Sequence, residues 1–370
     1  MENIITIAIH SPNVALNLKR FLQKKGVNAS LEEFIPLEDS DAMFMKLNIE
    51  AADIAKALKI LENEADYQLA LVQAKLAGMS DILLVPVDFS SYSDLAVAVA
   101  FDLADRLSLQ PHLLHSLVIP YFKESIPYPE SHSIDISDAK LAVDFKRKAE
   151  DKMNALVAKV NEDIRAGLLP DIKFSYDIVE GIPEEMILNY ARQNKPNLIV
   201  MATRGSSRRT QELIGSVTAE VLDSCRTPLF IVPENVGMPK IKEVDKVLFF
   251  CNLDNQDLSL MEGFQRMFDF PVTDLYLIPL VDSVSSSALN KLDTLENYFR
   301  DIYHSTNFSS VVIPNNKSFD AEFDKFLADK NIQLLVVPNK KRNVFARLFN
   351  PSMAHKLFFE KDLPMLALPV

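Results

Sequence analysis

From Asp81 to its end the chain alternates short, nearly continuous apolar runs with longer stretches of helical periodicity. A run such as 81–87 has no polar side to turn towards water, so it reads as a strand buried on both faces, as in a parallel sheet. Parallel neighbours need crossover connections, and the helical stretches supply them. Strands are predicted at 81–87, 111–119, 173–179, 197–202 and 228–232. Helices are predicted at 90–107, from just after Ser137 to about Gly167, and at 183–193 and 211–224, with Ser90 or Ser91 capping the first. Five strands joined this way make a doubly wound sheet, whose ligands sit at the carboxyl ends of the strands.

The pattern occurs twice. Residues 234–243, with Gly237 and Pro239, read as a linker. After it, 247–251 matches 83–87, and the chain closes with a strand at 365–368. Sliding 198–233 onto 334–369 needs no gap: Leu198, Val200, Ser216, Pro228 and Pro233 fall on Leu334, Val336, Ser352, Pro364 and Pro369. Two copies of one domain are expected, 81–233 and 244–370. Residues 1–80 follow another order: a strand at 4–9, a helix at 15–25 ended by Gly26, strands at 29–34 and 42–49, and a helix at 51–61. That βαββα order predicts a small α+β module with its helices on one face, and its composition offers no catalytic cluster.

Bulk properties limit the function classes. A length of 370 residues predicts two or three domains, and 48% hydrophobic with 24% charged residues is the balance of an ordinary globular protein. A net charge of −12 argues against broad nucleic-acid binding, which needs a basic face. Cys225 and Cys251 form no CxxC pair and read as buried apolar residues. The six histidines show no zinc spacing. Met1 to His10 lacks the basic and long apolar regions of a secretory leader. No apolar run reaches the roughly 18 residues of a membrane helix. A cytoplasmic protein is the expectation.

Chemistry concentrates in one loop, Ala202-Thr-Arg-Gly205, nine residues, then Gly215-Ser216-Val217-Thr218. It follows a strand and opens a helix. Glycines let the backbone approach a phosphate, and helix N-terminal N–H groups point at it. Ser216 and Thr218 can add hydroxyl donors, and Arg204, Arg208 and Arg209 supply charge. Arg204 lies inside the motif and is favoured for phosphate contact, whereas Arg208 and Arg209 also read as a solvated loop edge. The bland alternative is a turn followed by a capped helix.

With these residues the sequence resembles the universal stress protein family, of adenine-nucleotide α-hydrolase-like fold, whose ATP-binding members carry Gly-x2-Gly-x9-Gly-Ser/Thr in this loop. Ala202 replaces the first glycine; Gly205, Gly215 and Ser216 match. Pro86-Val87-Asp88-Phe89-Ser90 resembles the family's first-strand motif, with its aspartate at the adenine and ribose. Leu113-Leu114-His115-Ser116 resembles the segment whose main chain, after the histidine, meets the adenine. The resemblance covers 81–233 well, 244–370 weakly and the first 80 residues not at all. Those first residues resemble, in pattern only, the small βαββα signal-transducing modules in front of some bacterial stress proteins. The resemblance implies a site for ATP, with or without Mg2+, made by Pro86, Val87, Asp88, Ser116, Ala202, Arg204, Gly205 and Gly215 to Thr218.

Other readings stand beside it. Asp88 also suits a helix N-cap or an Asx turn, and His115 a satisfied core histidine. If position 202 needs φ > 0, alanine costs roughly 1–2 kcal/mol there, about tenfold in affinity. If ligand packs where the methyl stands, it is excluded. Weakened binding is the expectation. In the second copy Pro338, Lys341 and Pro351 replace the loop positions and Asn252, with Asp254 after it, replaces the aspartate, so the nucleotide site is lost there. Lys340, Lys341, Arg342 and Arg347 form a basic cluster or a solvated face. The last domain is expected to pack on the middle one as a pseudo-twofold partner. Family pairs of this kind join through their final strands, here 229–232 and 365–368.

A non-catalytic, ATP-sensing regulatory protein is the leading expectation, and a homodimer is compatible with it. A nucleotidyl transferase or ATP pyrophosphatase needs a Ser-Gly-Gly-type or histidine-rich phosphate loop after the first strand, where Asp88-Phe-Ser-Ser has no glycine. There is no GxxxxGK[ST] motif. The third class is a scaffold with vestigial sites; slow ATP hydrolysis has no general base to name.

Overall fold

The structure is a computed structural model and describes residues 4–10, 12–34, 44–54, 56–57, 80–119, 136–203, 216–233, 243–254, 256–267, 272–279, 285–313, 319–339 and 363–369. Within it, Met1–Ser80 and Asp81–Val370 are separate units.

In the first unit, β1 (Ile4–His10), β2 (Ala29–Phe34) and β3 (Phe44–Glu50) form an antiparallel sheet of order β1-β3-β2. Helix α1 (Pro12–Lys24) packs on it through Leu18 and Leu22, against Val27, Ala29, Leu47 and Ile49. The helix starts three residues earlier than predicted, at a proline, which suits a first helical turn because its missing N–H would be unpaired there anyway. Gly26, at φ +80°, ends it as expected. A polar ladder crosses the sheet: Thr6 Oγ1 donates to Asn48 Oδ1 (2.6 Å), and Asn48 Nδ2 to Glu32 Oε2 (3.0 Å). The helix predicted at 51–61 begins as a 3-10 turn, Ala51–Asp53, and its end lies outside the described residues.

The second unit has an α/β fold built on one mostly parallel sheet. Its elements are β4 (Ile82–Pro86), α2 (Ser91–Leu107), β5 (Gln110–Leu117), α3 (Ile136–Arg165), β6 (Ser175–Glu180), α4 (Pro183–Asn194), β7 (Leu198–Ala202), α5 (Ser216–Ser224) and β8 (Leu229–Val232). There follow β9 (Lys246–Cys251), α6 (Gln256–Met267), β10 (Asp274–Pro279), α7 (Ser286–Ile302), β11 (Asn307–Ser310), α8 (Phe319–Lys330), β12 (Leu334–Asn339) and β13 (Met365–Pro369). Ten strands lie in the order β11-β10-β9-β12-β13-β8-β7-β4-β5-β6. Every neighbouring pair is parallel except β8 with β13, which run antiparallel at the centre.

Alternation along the strands explains the apolar runs. Leu83 and Val85 join one core layer with Phe101 of α2 and Met153 of α3; Leu84 joins the other with Ile187 of α4 and Val221 of α5. Val247 and Leu248 divide in the same way, towards Phe264 of α6 and Phe323 of α8. Both faces of the sheet are therefore covered, and no strand residue between them can be polar without cost. Cys225 and Cys251 are buried free thiols.

At the centre Phe230 pairs with Leu366, Ile231 with Met365 and Leu229 with Ala367. In the gapless superposition of 198–233 on 334–369, Phe230 falls on Leu366. These two residues thus face each other across the seam. Both side chains are fully buried.

Candidate functional site

Strand β4 stands where the order reverses: the chain runs outward from it to β5 and β6, then returns to its other side as β7 and β8. Such a switch point opens a crevice at the carboxyl ends of the strands. Leu83 pairs with Leu198, so Ala202 at the end of β7 stands level with Val87 just past β4.

Pro86 closes β4, and Val87 is buried, its N–H donating to the Leu114 carbonyl (2.9 Å). Asp88 then turns the chain: its Oδ1 accepts from Ser90 N–H (3.0 Å) and from Ser90 Oγ (2.6 Å). Ser90 is the N-cap of α2, its hydroxyl oxygen accepting from Ser93 N–H (3.2 Å). Of the two local roles open to Asp88, the structure has the Asx turn, while the cap belongs to Ser90. Between them Phe89 takes φ +63°, a left-handed conformation that a bulky residue rarely adopts.

Beside this turn lies His115 of β5. Its Nδ1–H donates to the Val87 carbonyl (2.8 Å), and its ring meets Phe89 with centroids 4.2 Å apart. Burial lowers its pKa; the Val87 bond and the Asp88 charge raise it, and Lys152 lowers it. A ring held neutral, with Nδ1–H given to a backbone carbonyl, is a satisfied structural histidine, which was one reading of the sequence. Lys152 of α3 places its ammonium 5.7 Å from the centre of the Phe89 ring. Nothing in the sequence singled out Phe89 or Lys152: one is an apolar residue after a strand, the other one of many lysines on an amphipathic helix.

Ser116 directs its hydroxyl to the Gly181 carbonyl (2.6 Å), fastening the turn between β6 and α4. Ala202 is an ordinary strand residue with negative φ, so alanine carries no left-handed strain there. That corrects the tenfold penalty considered from sequence; only the methyl group itself can act on a ligand. The Ala202 carbonyl accepts from Thr218 Oγ1 (2.9 Å), so the hydroxyl read as a donor for ligand bonds the protein here. Ser216, exposed, and Val217, half-buried, complete the first turn of α5. Arg204, Gly205 and Gly215 lie outside the described residues, as do Arg208 and Arg209. The structure therefore brings Asp88 and the start of α5 to the ends of adjacent strands, and uses Ser116 and Thr218 as internal fasteners.

The matching strand end in the second half is built differently. Asn252-Leu253-Asp254 follows β9, and Leu253 repeats the left-handed turn at φ +60°. Here Asp257, fully buried, accepts from Asn252 N–H (2.9 Å) and Asp254 N–H (3.2 Å) with its two carboxyl oxygens. Burial pushes its pKa up to about 7, opposed by those backbone bonds and reinforced by the Asp254 charge. The side-chain Nδ2 of Asn252 and Oε1 of Gln256 are buried without hydrogen-bond partners. Pro338 lies in β12, while Lys340 to Arg342, Arg347 and Pro351 lie outside the described residues. Among the described residues no cluster of three or more His, Cys, Asp or Glu can hold a metal, and no helix is long and apolar enough to cross a membrane.

Residues 79–233 match the model of the universal stress protein family. Two universal stress proteins of Methanocaldococcus jannaschii are similar to parts of the chain. One is 33% identical over 61 residues, 16% of this chain and 36% of that protein, so the chain spans about a third of that relative's length. The other is 26% identical over 159 residues, 40% of this chain and 93% of that protein. Among solved structures, a universal stress protein from Archaeoglobus fulgidus superposes with a TM-score of 0.55 at 15% identity, covering 78% of this chain and 98% of that one. At that identity the likeness concerns fold, over a share about as long as Asp81–Val370.

Proposed function

We propose that the chain is a universal-stress-type regulatory protein that binds an adenine nucleotide without turning it over. Its single site lies in 81–233, and 244–370 is a second, degenerate copy of the same domain. One observation carries this reading: Asp88 and the first turn of α5 stand at the carboxyl ends of β4 and β7, adjacent strands at the switch point, inside the segment that matches the family model. The half-buried Asp88 carboxyl suits a ribose or adenine donor, and the N–H groups opening α5 suit phosphate. With no acidic cluster among the described residues, Mg2+ would ride on the phosphates of ATP rather than in a protein cage. Among the described residues, His115 gives its Nδ1–H to Val87 and Asp88 Oδ1 holds Ser90, structural engagements that suit a binding site. The cell compartment this reading implies is the cytoplasm.

A scaffold is the second reading, and one observation favours it. Thr218, at the end of a loop whose first glycine is replaced by Ala202, spends its hydroxyl hydrogen on the Ala202 carbonyl. Calorimetric titration of ATP with magnesium into the full chain separates the two. Near-stoichiometric binding, lost in Asp88→Ala and Gly215→Trp but kept in Asn252→Ala, is the expected result. No heat at millimolar ATP would leave the scaffold.

A further inference from the structure

Helix α5 is short, and its last carbonyls have no partners within it. Cys225 N–H reaches the Val221 carbonyl (2.8 Å). The next carbonyl, Leu222, is buried and is served from the other half of the unit: Asn339 Nδ2 donates to it at 2.8 Å. Asn339 closes β12, is itself buried, and lies 117 residues away in sequence. In the gapless superposition its counterpart is Thr203, so the amide belongs to the second half alone.

The tie matters because of what the helix carries. Thr218 Oγ1 pins the first turn of α5 to the end of β7. Leu222 is one turn further along, so the two bonds hold the helix to both halves of the sheet. We infer that Asn339 is a positioning residue: through Leu222 the degenerate half sets the helix whose N-terminus opens the candidate nucleotide site. The inference rests on the nucleotide reading for its consequence, and on the 2.8 Å bond for the tie itself. It gives the second half, which has proline and lysine in the loop positions, a task at a site it does not contain.

Removing the donor leaves a buried carbonyl unpaired, which frees the last turn of α5 and loosens the register of its first. The test uses Asn339→Leu, close in shape but without a donor, and the milder Asn339→Ser in case the first does not fold. Amide exchange is followed in 216–226 of the ligand-free full chain, together with calorimetric ATP–magnesium affinity. The expected result is exchange about tenfold faster in that helix and unchanged in Pro183–Asn194, with ATP affinity about fivefold to tenfold weaker at the same stoichiometry. Leu292→Ala, a core change in α7, serves as the control: it lowers the melting temperature and leaves ATP affinity alone. Unchanged exchange in α5 overturns the tie whatever ATP does. Faster exchange with unchanged affinity overturns the positioning of the site. A wild-type chain that binds no ATP, while its variants exchange faster, sinks the nucleotide reading and leaves the tie established.

Discussion

Asp257 makes stability depend on pH in a direction opposite to that of most carboxylates. Its carboxyl would ordinarily titrate at 3.8; burial pushes it up to about 7, against the pull of the N–H groups of Asn252 and Asp254. Between those values the folded chain holds a proton that the unfolded chain has released, so stability falls as pH rises. The slope is about 1.4 kcal/mol per pH unit, and the whole window is worth about 4 kcal/mol, fully present below pH 3.8 and gone above 7. Two histidines act the other way. Burial lowers the pKa of His112 and His115, so each costs stability as pH drops below 6.5. The comparison that isolates Asp257 is the difference between wild type and Asp257→Asn. Asparagine keeps the shape and cannot titrate; its oxygen serves one of the two N–H groups while its NH2 faces the other, a cost that does not vary with pH. Urea unfolding of both proteins, followed by far-UV circular dichroism because the chain has no tryptophan, gives that difference at each pH. Wild type is expected to lose stability relative to the variant steadily from pH 4.5 to 6.5. A difference that is flat over that window refutes the reasoning, whatever its size.

Three further outcomes follow from single positions. Gly181 has φ +148°, and a Cβ there would lie 2.9 Å from Met186 Sδ; Gly181→Ala should cost about 1–3 kcal/mol in urea unfolding, and an unmoved midpoint would contradict it. Ala202→Gly should lower stability by about 0.5–1 kcal/mol without the tenfold gain in ATP affinity that relief of a left-handed alanine would bring, since φ is already negative. His112 gives Nδ1 to a hydrogen bond with Ser175 Oγ (2.8 Å), stacks on Tyr190 and has its pKa lowered chiefly by burial. Its ring resonances in NMR should titrate below 6.5, and a midpoint above that value would show the ring to be stabilised as a cation.

Most of the second unit was legible because its physics is repetitive. Continuous runs such as 83–85 and 198–201 are buried on both faces, and their neighbours must be helices that cover them, so period and length suffice. Turns at strand ends are another matter. Phe89 and Leu253 both adopt positive φ, and neither residue type announces it; the conformation is imposed by the strand-to-helix turn that Asp88 and Asp257 hold in their different ways. The partner of the Thr218 hydroxyl is hidden in the sequence for a related reason. A hydroxyl near a motif reads as a ligand donor until the backbone carbonyl that takes its hydrogen is in view. Among the described residues of the first unit the differences fall at element edges, where Pro12 extends a helix and Ala51–Asp53 forms a 3-10 turn.

The two strand ends are held in different ways. With Leu83 aligned on Val247, Ser93 falls on Asp257. Ser93 turns its hydroxyl to the Ser90 carbonyl (3.0 Å), within its own helix cap, and leaves the Asp88 turn to close on itself. Asp257 reaches back instead, setting a carboxylate on the N–H groups of Asn252 and Asp254. The Asn252 and Asp254 N–H groups there are already taken by a buried carboxyl group. The second half thus differs at the strand end as well as in the proline and lysine of its loop sequence. What it retains is the other face of the same design: a buried seam along β8 and β13, and an amide at the end of β12 that reaches across it.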